Sequence, residues 1–527
     1  MAGMEEQAKK DYWLGQVADA AIKLHPTGEI VVSSGHSPSG SYHIGTLREI
    51  MTASAITWAI RQKGRQARHI DFVDDFDIYR KVPGNVPAEF SQHLGKPLYK
   101  VPDPVGACHD TYADHFYGIL LESLDEAGVE MDSIRSHEEY LAGRFANSIA
   151  ATLEKLDQVK SIILEVSGRE VSEGWVPVQL LSDNDLLNEW TYRGWDKSKQ
   201  VINYVDKAGK EGEVSYADGR VKLDWRLDWP ARWSVWGVGV EPFGRDHATK
   251  GGSYDTGKAL AQEIFAGVIP YPVPYEFINS PGETKKMSKS TGNIMTPGEA
   301  MEIMPAEILR FFIAGPRPSK ELIFDSGTGL YNLIDEYSAL QQEIAQGGRP
   351  ERYEAWAFAA NADSGHQAKS VISSVSFKHL VNVFQTAFGD REAITQILAR
   401  TGYEKAVADE ADIIQSELKY VKNWLDKYAP DSVKFEVQQE LPKVELSKEQ
   451  KEFLAELIKS LEPAAIIDGQ VMHQTIYAAS LVAAIKPAEA FKTLYRLILD
   501  KDSGPKAGWF LASLNHEWLV KRLKLEA

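Results

Sequence analysis

Cysteine is all but missing from this chain: Cys108 is the sole thiol in 527 residues. An internal disulfide is thereby excluded, and a reducing compartment is expected. Long apolar runs are missing too, since none approaches the ~18 residues that cross a bilayer. The opening residues, MAGMEEQAKKDYW, carry no apolar secretory segment. We expect a cytoplasmic protein with no membrane partner. Positive charge is in deficit, 58 Lys+Arg against 75 Asp+Glu for a net charge of −17. That excludes indiscriminate binding to nucleic acid but leaves selective binding open, because the field that matters is local. The charge is also uneven: from Lys492 onward seven Lys/Arg stand against four Asp/Glu. Finally, no cysteine or histidine occurs between His137 and His247. A structural zinc site needs about four such ligands, so no metal site and no structural zinc are expected.

What is present is the composition of a globular protein, 43% hydrophobic and 25% charged, with room for two to four domains. The stretch GEIVVSSG reads as a short buried strand bounded by Gly28 and Gly35. TLREIMTASAITWAIRQKG follows with Leu47, Ile50, Met51, Ala55 and Trp58 at helical spacing, and ARHIDFVDD reads as a second strand. This β-loop-α-β unit seeds a parallel sheet. The fold class expected is α/β: a Rossmann-type parallel-sheet catalytic domain with an insertion, followed by an all-helical C-terminal domain. Residues 1–140 form the first half of the sheet domain. Residues 141–221, polar and punctuated by glycine, form an insertion of small strands and turns held by its own core, with Trp175, Trp190 and Trp195. Residues 222–292 resume the sheet, 293–345 connect, and 346–527 are helical.

The stretch VVSSGHSPSGSYHIGTLREI, residues 31–50, places His36 and His43 in a loop of small residues between strand and helix. A helix beginning there points its free N–H groups, and roughly half a positive charge, over the strand's end, where phosphate binds readily. Small residues let a phosphate chain approach the backbone. The loop reads as a nucleotide site with His43 aimed at phosphate; taken alone, a tight βα turn with incidental histidines is the alternative. A second stretch, ETKKMSKSTGN at 283–293, sets lysines around Met287. Lysines on a polar loop can close over a triphosphate and neutralise charge as a bond to phosphorus breaks, although a basic loop by itself is ordinarily solvated surface.

The pair, in this order and at this separation, resembles the HIGH and KMSKS signatures of class I aminoacyl-tRNA synthetases. The second signature is complete from Lys286 to Ser290; the first departs at its fourth place, where Thr46 replaces histidine. The resemblance implies an ATP site in which His43 and Gly45 meet the phosphates, with Pro38, Gly40 and Thr46 beside them. It implies that Lys286 and Lys289 stabilise pentacovalent phosphorus, that Met287 presents its backbone to adenine, and that Mg2+ accompanies the ATP. Thr46 donates a hydrogen bond but carries no charge.

Three further stretches, SGHSPSGSYHIGTLRE, DDFDIYRKVPGNVP and VKLDWRLDWPARW with VEPFGRDHATKGGSYDTG, look like the class I lysyl-tRNA synthetases, and RPSKELIFD continues the likeness. That resemblance implies L-lysine, ATP and tRNA(Lys) as partners, a lysyl-adenylate intermediate, an anticodon-binding helical domain and activation that requires bound tRNA. Many relatives carry a zinc ribbon in the insertion, which this chain lacks the ligands to form. Lysine's ammonium wants carboxylates or a ring face. Asp74, Asp75 and Asp77 stand at a strand end, with Asp74 the foremost, and Trp225, Trp229, Glu241 and His247 offer more. Tryptophans at 225, 229, 233 and 236 have near-helical spacing that Pro230 is expected to interrupt, and Trp225 is the one expected at the ligand. Gly244 permits close approach, Asp246 can accept both ribose hydroxyls, and His247 is expected to face the amino acid. Gly35 and Ser37 are placed at the α-amino end. A monomer is expected. The alternatives are a glutamyl or arginyl enzyme of the same class, a small-molecule adenylyltransferase, or a non-catalytic tRNA-binding relative. A glutamate pocket wants Arg where this chain offers Asp, a small substrate requires no helical domain of this length, and a non-catalytic relative has no need of the KMSKS lysines.

Overall fold

The structure, a computed structural model, describes residues 12–106, 108–187, 189–282, 295–361, 370–462 and 468–526. Helix α1 (Trp13–Leu24) buries Trp13, Leu14, Ala18 and Ala21. Strand β1 (Ile30–His36) follows and feeds α2 (Ile44–Gln62), which is buried around most of its circumference, as a helix wedged between a sheet and other helices must be. Then come β2 (Ala67–Val73), α3 (Tyr112–Glu126) and β3 (Asp132–Arg135). After an insertion the sheet resumes with α7 (Trp225–Trp236), β9 (Val238–Gly244), α8 (Ser253–Glu263) and β10 (Tyr271–Tyr275); the intervening α4–α6 and β4–β8 are given below. The strand order is β10-β9-β1-β2-β3, with every pair parallel.

This order positions the site. The chain lays β1 in the middle, steps outward through β2 and β3, then returns to the other flank with β9 and β10. The two directions diverge between β1 and β9, and the crevice outside the carboxyl ends of strands at such a switch point is where ligands bind. Both faces of the sheet are covered. Ile30, Val32, Val240 and Val273 pack with α1 and α2, while Val31, Ile70, Val238 and Phe243 pack with Trp229 and Trp233.

The insertion departs from expectation at its start. It opens with three helices, α4 (Ser136–Leu141), α5 (Ala146–Glu154) and α6 (Leu156–Ser167), and only then forms β4 (Val178–Leu180), β5 (Trp190–Asp196), β6 (Val201–Asp206), β7 (Glu211–Ser215) and β8 (Val221–Leu223). These strands pair antiparallel, β4 with β8 and β5-β6-β7 together. Ile149 and Leu153, then Val159, Ile162 and Ile163, are buried at helical spacing, a period the glycine-rich second half obscured. Nor does the insertion have a core of its own. Trp175, Trp190 and Trp195 pack against a cluster shared with Phe72, Phe76, Leu227 and Leu260, because the sheet's outer face needs the cover that the insertion's apolar residues supply. Helix α7 also runs unbroken through Pro230. A proline there forfeits one backbone hydrogen bond, and the burial of Trp229 and Trp233, ~1.5–3 kcal/mol for a large side chain, offsets the loss.

Two compact units divide the chain. One comprises Met1–Met301, Ala306–Phe324 and Arg349–Ala368, the other Glu302–Pro305, Asp325–Gly348 and Lys369–Ala527. The second contains helices and, among its described residues, no strand. Its core gathers Phe453, Leu457, Leu461, Ile476, Leu494 and Ile498, and Ser447 with Gln450 closes a capping box at the start of helix Lys448–Leu461. Among the described residues no helix is long and apolar enough to cross a membrane.

Candidate active site

At the switch point a cavity of about 190 Å³ opens, lined by Gly35, His36, His43, Gly45, Thr46, Glu49, Ile50, Tyr275 and Phe277. Its floor is the start of α2, where residues 45, 46, 49 and 50 share one helical face. His43 is the N-cap, extended at φ −125°, ψ 164°, and only 8% exposed. Its ring lies directly over Gly45: a Cβ there would meet the imidazole at 2.6 Å. The glycine is needed for the histidine's position; of the N–H groups at this end of α2, that of Ile44 is bonded to the carbonyl of Met295 and that of Thr46 to the carbonyl of His43, so the imidazole and the bare backbone at Gly45 are what the cavity offers a phosphate.

Sequence reasoning missed two residues of this cavity, Glu49 on its floor and Tyr275 on β10. Glu49 Oε1 accepts the N–H of Gly35 at 2.8 Å, and Oε2 accepts the hydroxyl of Tyr275 at 2.6 Å. Burial pushes the Glu49 carboxyl up to about 7. A signal for it existed, since Glu49 closes the run HIGTLRE and stands one helical turn beyond Gly45 and Thr46. Behind the loop, buried Asp71 accepts from Ser34 Oγ at 2.7 Å and bonds His36 Nε2 at 2.9 Å, and Tyr42 closes on His36 Nδ1 at 2.7 Å. This network seats the end of β1 against β2.

The other expected site residues divide. Gly35, His43, Gly45 and Thr46 line the cavity together. Ser37 is beside them in the loop, its Oγ buried and with no hydrogen-bond partner among the described residues. Pro38 and Gly40 belong to the same turn, Gly40 at φ +147°. At the end of β9, Gly244 lets Asp246 fold back, since a Cβ would meet Asp246 Oδ1 at 2.6 Å. Trp225, 40% exposed, stacks on Trp229 with centroids 5.5 Å apart, and His247 stands 5.2 Å from the Trp225 ring. Lys286, Met287 and Lys289 lie outside the described residues.

Two expected ligands of the ammonium are not at the cavity. Asp74 is buried, with Lys222 Nζ at 2.6 Å from one oxygen and Arg232 Nη2 at 3.0 Å from the other. Although burial opposes ionisation, these two cations hold its carboxyl below the usual range. Asp75 is buried and committed to Arg135 and His137, since a buried charge is tolerable only when paired, and Asp77 pairs at the surface with Arg80. Glu241, 5% exposed, faces α7 and accepts the indole N–H groups of Trp229, at 2.7 Å, and of Trp233. Burial pushes its carboxyl up to about 8.

The expectation of no metal rested on the insertion; outside it, just before and within α3, Asp103, Cys108, His109 and His115 bring one ligand atom each to within 4.8 Å of one another. Cys108 Sγ is 3.2 Å from both His109 Nδ1 and His115 Nδ1. One thiolate, two imidazoles and a carboxylate are donors that suit tetrahedral zinc. The spacing DPVGACHDTYADH carried the signal, in a segment the insertion's boundaries left out.

Comparison with known proteins adds three findings. The family model described as tRNA synthetases class I (K) matches residues 11–363. A lysine–tRNA ligase of Thermococcus kodakarensis is 36% identical over 98% of this chain and 99% of its own, and one of Archaeoglobus fulgidus is 37% identical over 97% and 99%. A solved glutamate tRNA ligase from Elizabethkingia meningosepticum, 13% identical, covers 94% of this chain and 99% of its own at a TM-score of 0.44.

Proposed function

The chain belongs to the class I tRNA synthetases of the lysine type, and from that premise we propose how its residues perform the reaction. The activity is ATP-dependent ligation of L-lysine to tRNA. Lysine's carboxylate displaces pyrophosphate from the α-phosphorus of ATP, giving lysyl-adenylate. A ribose hydroxyl of the tRNA's terminal nucleotide then takes the lysyl group and releases AMP. The enzyme supplies no nucleophile, so the work is position and charge. In this reading the N-terminus of α2 and His43 receive the phosphates, Gly45 and Thr46 admit them, and Pro38 and Gly40 shape the loop. Gly244 and Asp246 take the ribose, and Met287 meets the adenine. Lys286 and Lys289 neutralise the charge that grows on phosphorus, with Mg2+ on the ATP. Gly35 and Ser37 face the α-amino end, and Trp225 and His247 flank the side chain.

The observation that carries the assignment of the ammonium is the cavity's one carboxylate. Glu49 is half-buried, held by two neutral donors, and has no ion-pair partner among the described residues. Such a carboxylate gains most from a compact cation. Glutamate as substrate would be repelled by it, and arginine would need a planar fork of acceptors. The test is ATP–pyrophosphate exchange with each of the twenty amino acids, with and without tRNA(Lys), for wild type and Glu49→Gln. Lysine alone should support exchange, in a tRNA-dependent manner, and Glu49→Gln should raise the lysine KM by ~30-fold or more with the ATP KM nearly unchanged. An unchanged lysine KM would place the ammonium elsewhere. The reading also includes a cytoplasmic monomer and an anticodon-binding role for the helical unit.

A further inference from the structure

Two carboxylates, Glu49 at the cavity and Glu241 within β9, have only uncharged donors on them. Glu49 is held by the Gly35 N–H and the Tyr275 hydroxyl, and Glu241 by two indole N–H groups. Neither has an ion-pair partner among the described residues, and Arg232, Arg48 and His36 near them are committed elsewhere. Arg232 serves Asp74 and Asp228. Arg48 gives its guanidinium to the carbonyls of Glu276, Ile313, Arg317, Pro318 and Lys320. His36 is bonded to Asp71. The other ionisable groups that line the cavity or act on the pair are His43, which caps α2, Tyr275 on β10, Tyr254 on α8 and Asp71 on β2, and among them only His43 can add positive charge. Two buried like charges without a counter-ion do not both stay ionised. Burial is the largest cause raising each of them, and the Glu49 charge raises Glu241 further.

We propose that the free enzyme carries a proton on the Glu49–Glu241 pair and that the substrate's ε-ammonium displaces it, so that lysine binding is an exchange of one cation for another. The proposal rests on the reading that Glu49 receives the ammonium. A protonated carboxyl meets R–NH3+, the O–H bond breaks, the proton passes to solvent, and the carboxylate left behind pairs with the ammonium. Nothing is oxidised or reduced. Glu241 does not touch the substrate; it sets how firmly the proton is held, and so contributes to selecting a charged side chain over a neutral one of equal length, which has no charge to exchange. The sign follows directly. Only the deprotonated site pairs with lysine, so affinity weakens as pH falls through the range in which the pair takes up protons.

The experiment is calorimetric titration of the full-length protein, with tRNA(Lys) present, with L-lysine at about pH 7 in buffers of different ionisation enthalpy. We expect release of about one proton per lysine bound, and a lysine KM that rises roughly tenfold per unit of pH lost below the pair's range. Glu241→Gln should lower the proton release and move the KM profile toward acid. Heats independent of buffer in wild type, with Glu49→Gln still impairing lysine binding, would overturn the exchange while leaving the role of Glu49 intact. Lysine binding unaltered in Glu49→Gln would overturn that role first. A KM profile unmoved by Glu241→Gln would remove Glu241 from the pair.

Discussion

Replacing Asp74 by Asn separates a residue that reads as a ligand from one that the fold has already consumed. Asp74 stands at the end of β2 in an acidic run, where a cationic substrate is easily imagined, but both oxygens are taken by Lys222 and Arg232, themselves 3% and 7% exposed. Asp74→Asn leaves these buried cations with Asp228 as the remaining buried anion on Arg232. Removing one member of a buried ion pair costs ~3–5 kcal/mol, and for a unit of this size each kcal/mol lowers Tm by ~1.4 °C. Thermal unfolding should therefore show a fall of ~4–7 °C, with lysine KM within about twofold of wild type in the exchange assay. The pH dependence has a definite sign. A carboxyl whose folded value is depressed contributes stability that is complete above its unfolded value, near 3.9, and is lost as pH falls through the folded one. The gap between variant and wild type should be full at neutral pH and should close under acid. A tenfold rise in lysine KM with an unaltered Tm would refute this reasoning and put Asp74 on the substrate.

Three other outcomes are expected. Gly45→Ala places a methyl 2.6 Å from the His43 ring, so the ring must move, and adenylation kcat should drop by ~10-fold or more; a normal kcat would mean that His43 does not act from its present position. Lys289→Ala should lower adenylation kcat by ~10²-fold and leave lysine KM nearly unchanged, whereas an unaffected kcat would make that loop ordinary surface. Elemental analysis should find one zinc per chain, lost in Cys108→Ser, because Asp103, Cys108, His109 and His115 converge; zinc-free protein with wild-type stability in a strong chelator would refute the site.

The sequence by itself determined the parts of this protein that are local. The strand, small-residue loop and helix of residues 30–62 are contiguous, a short buried run gives way to helical spacing, and the N-cap histidine and its glycine are two residues apart, so nothing distant was needed to read the strand-loop-helix turn there. What only the tertiary structure decided is which charges remain available. Asp74 read as a ligand until Lys222, 148 residues away, closed on it, and Glu241 read as a pocket residue until two tryptophans of α7 took both its oxygens. A carboxylate's usefulness to a ligand depends on whether the fold has already paired it, and pairing runs between elements whose meeting no spacing records. The strand order that sets β1 beside β9 is of the same kind: it opens the crevice between them, and it brings Tyr275 within 2.6 Å of Glu49 across 226 residues of chain.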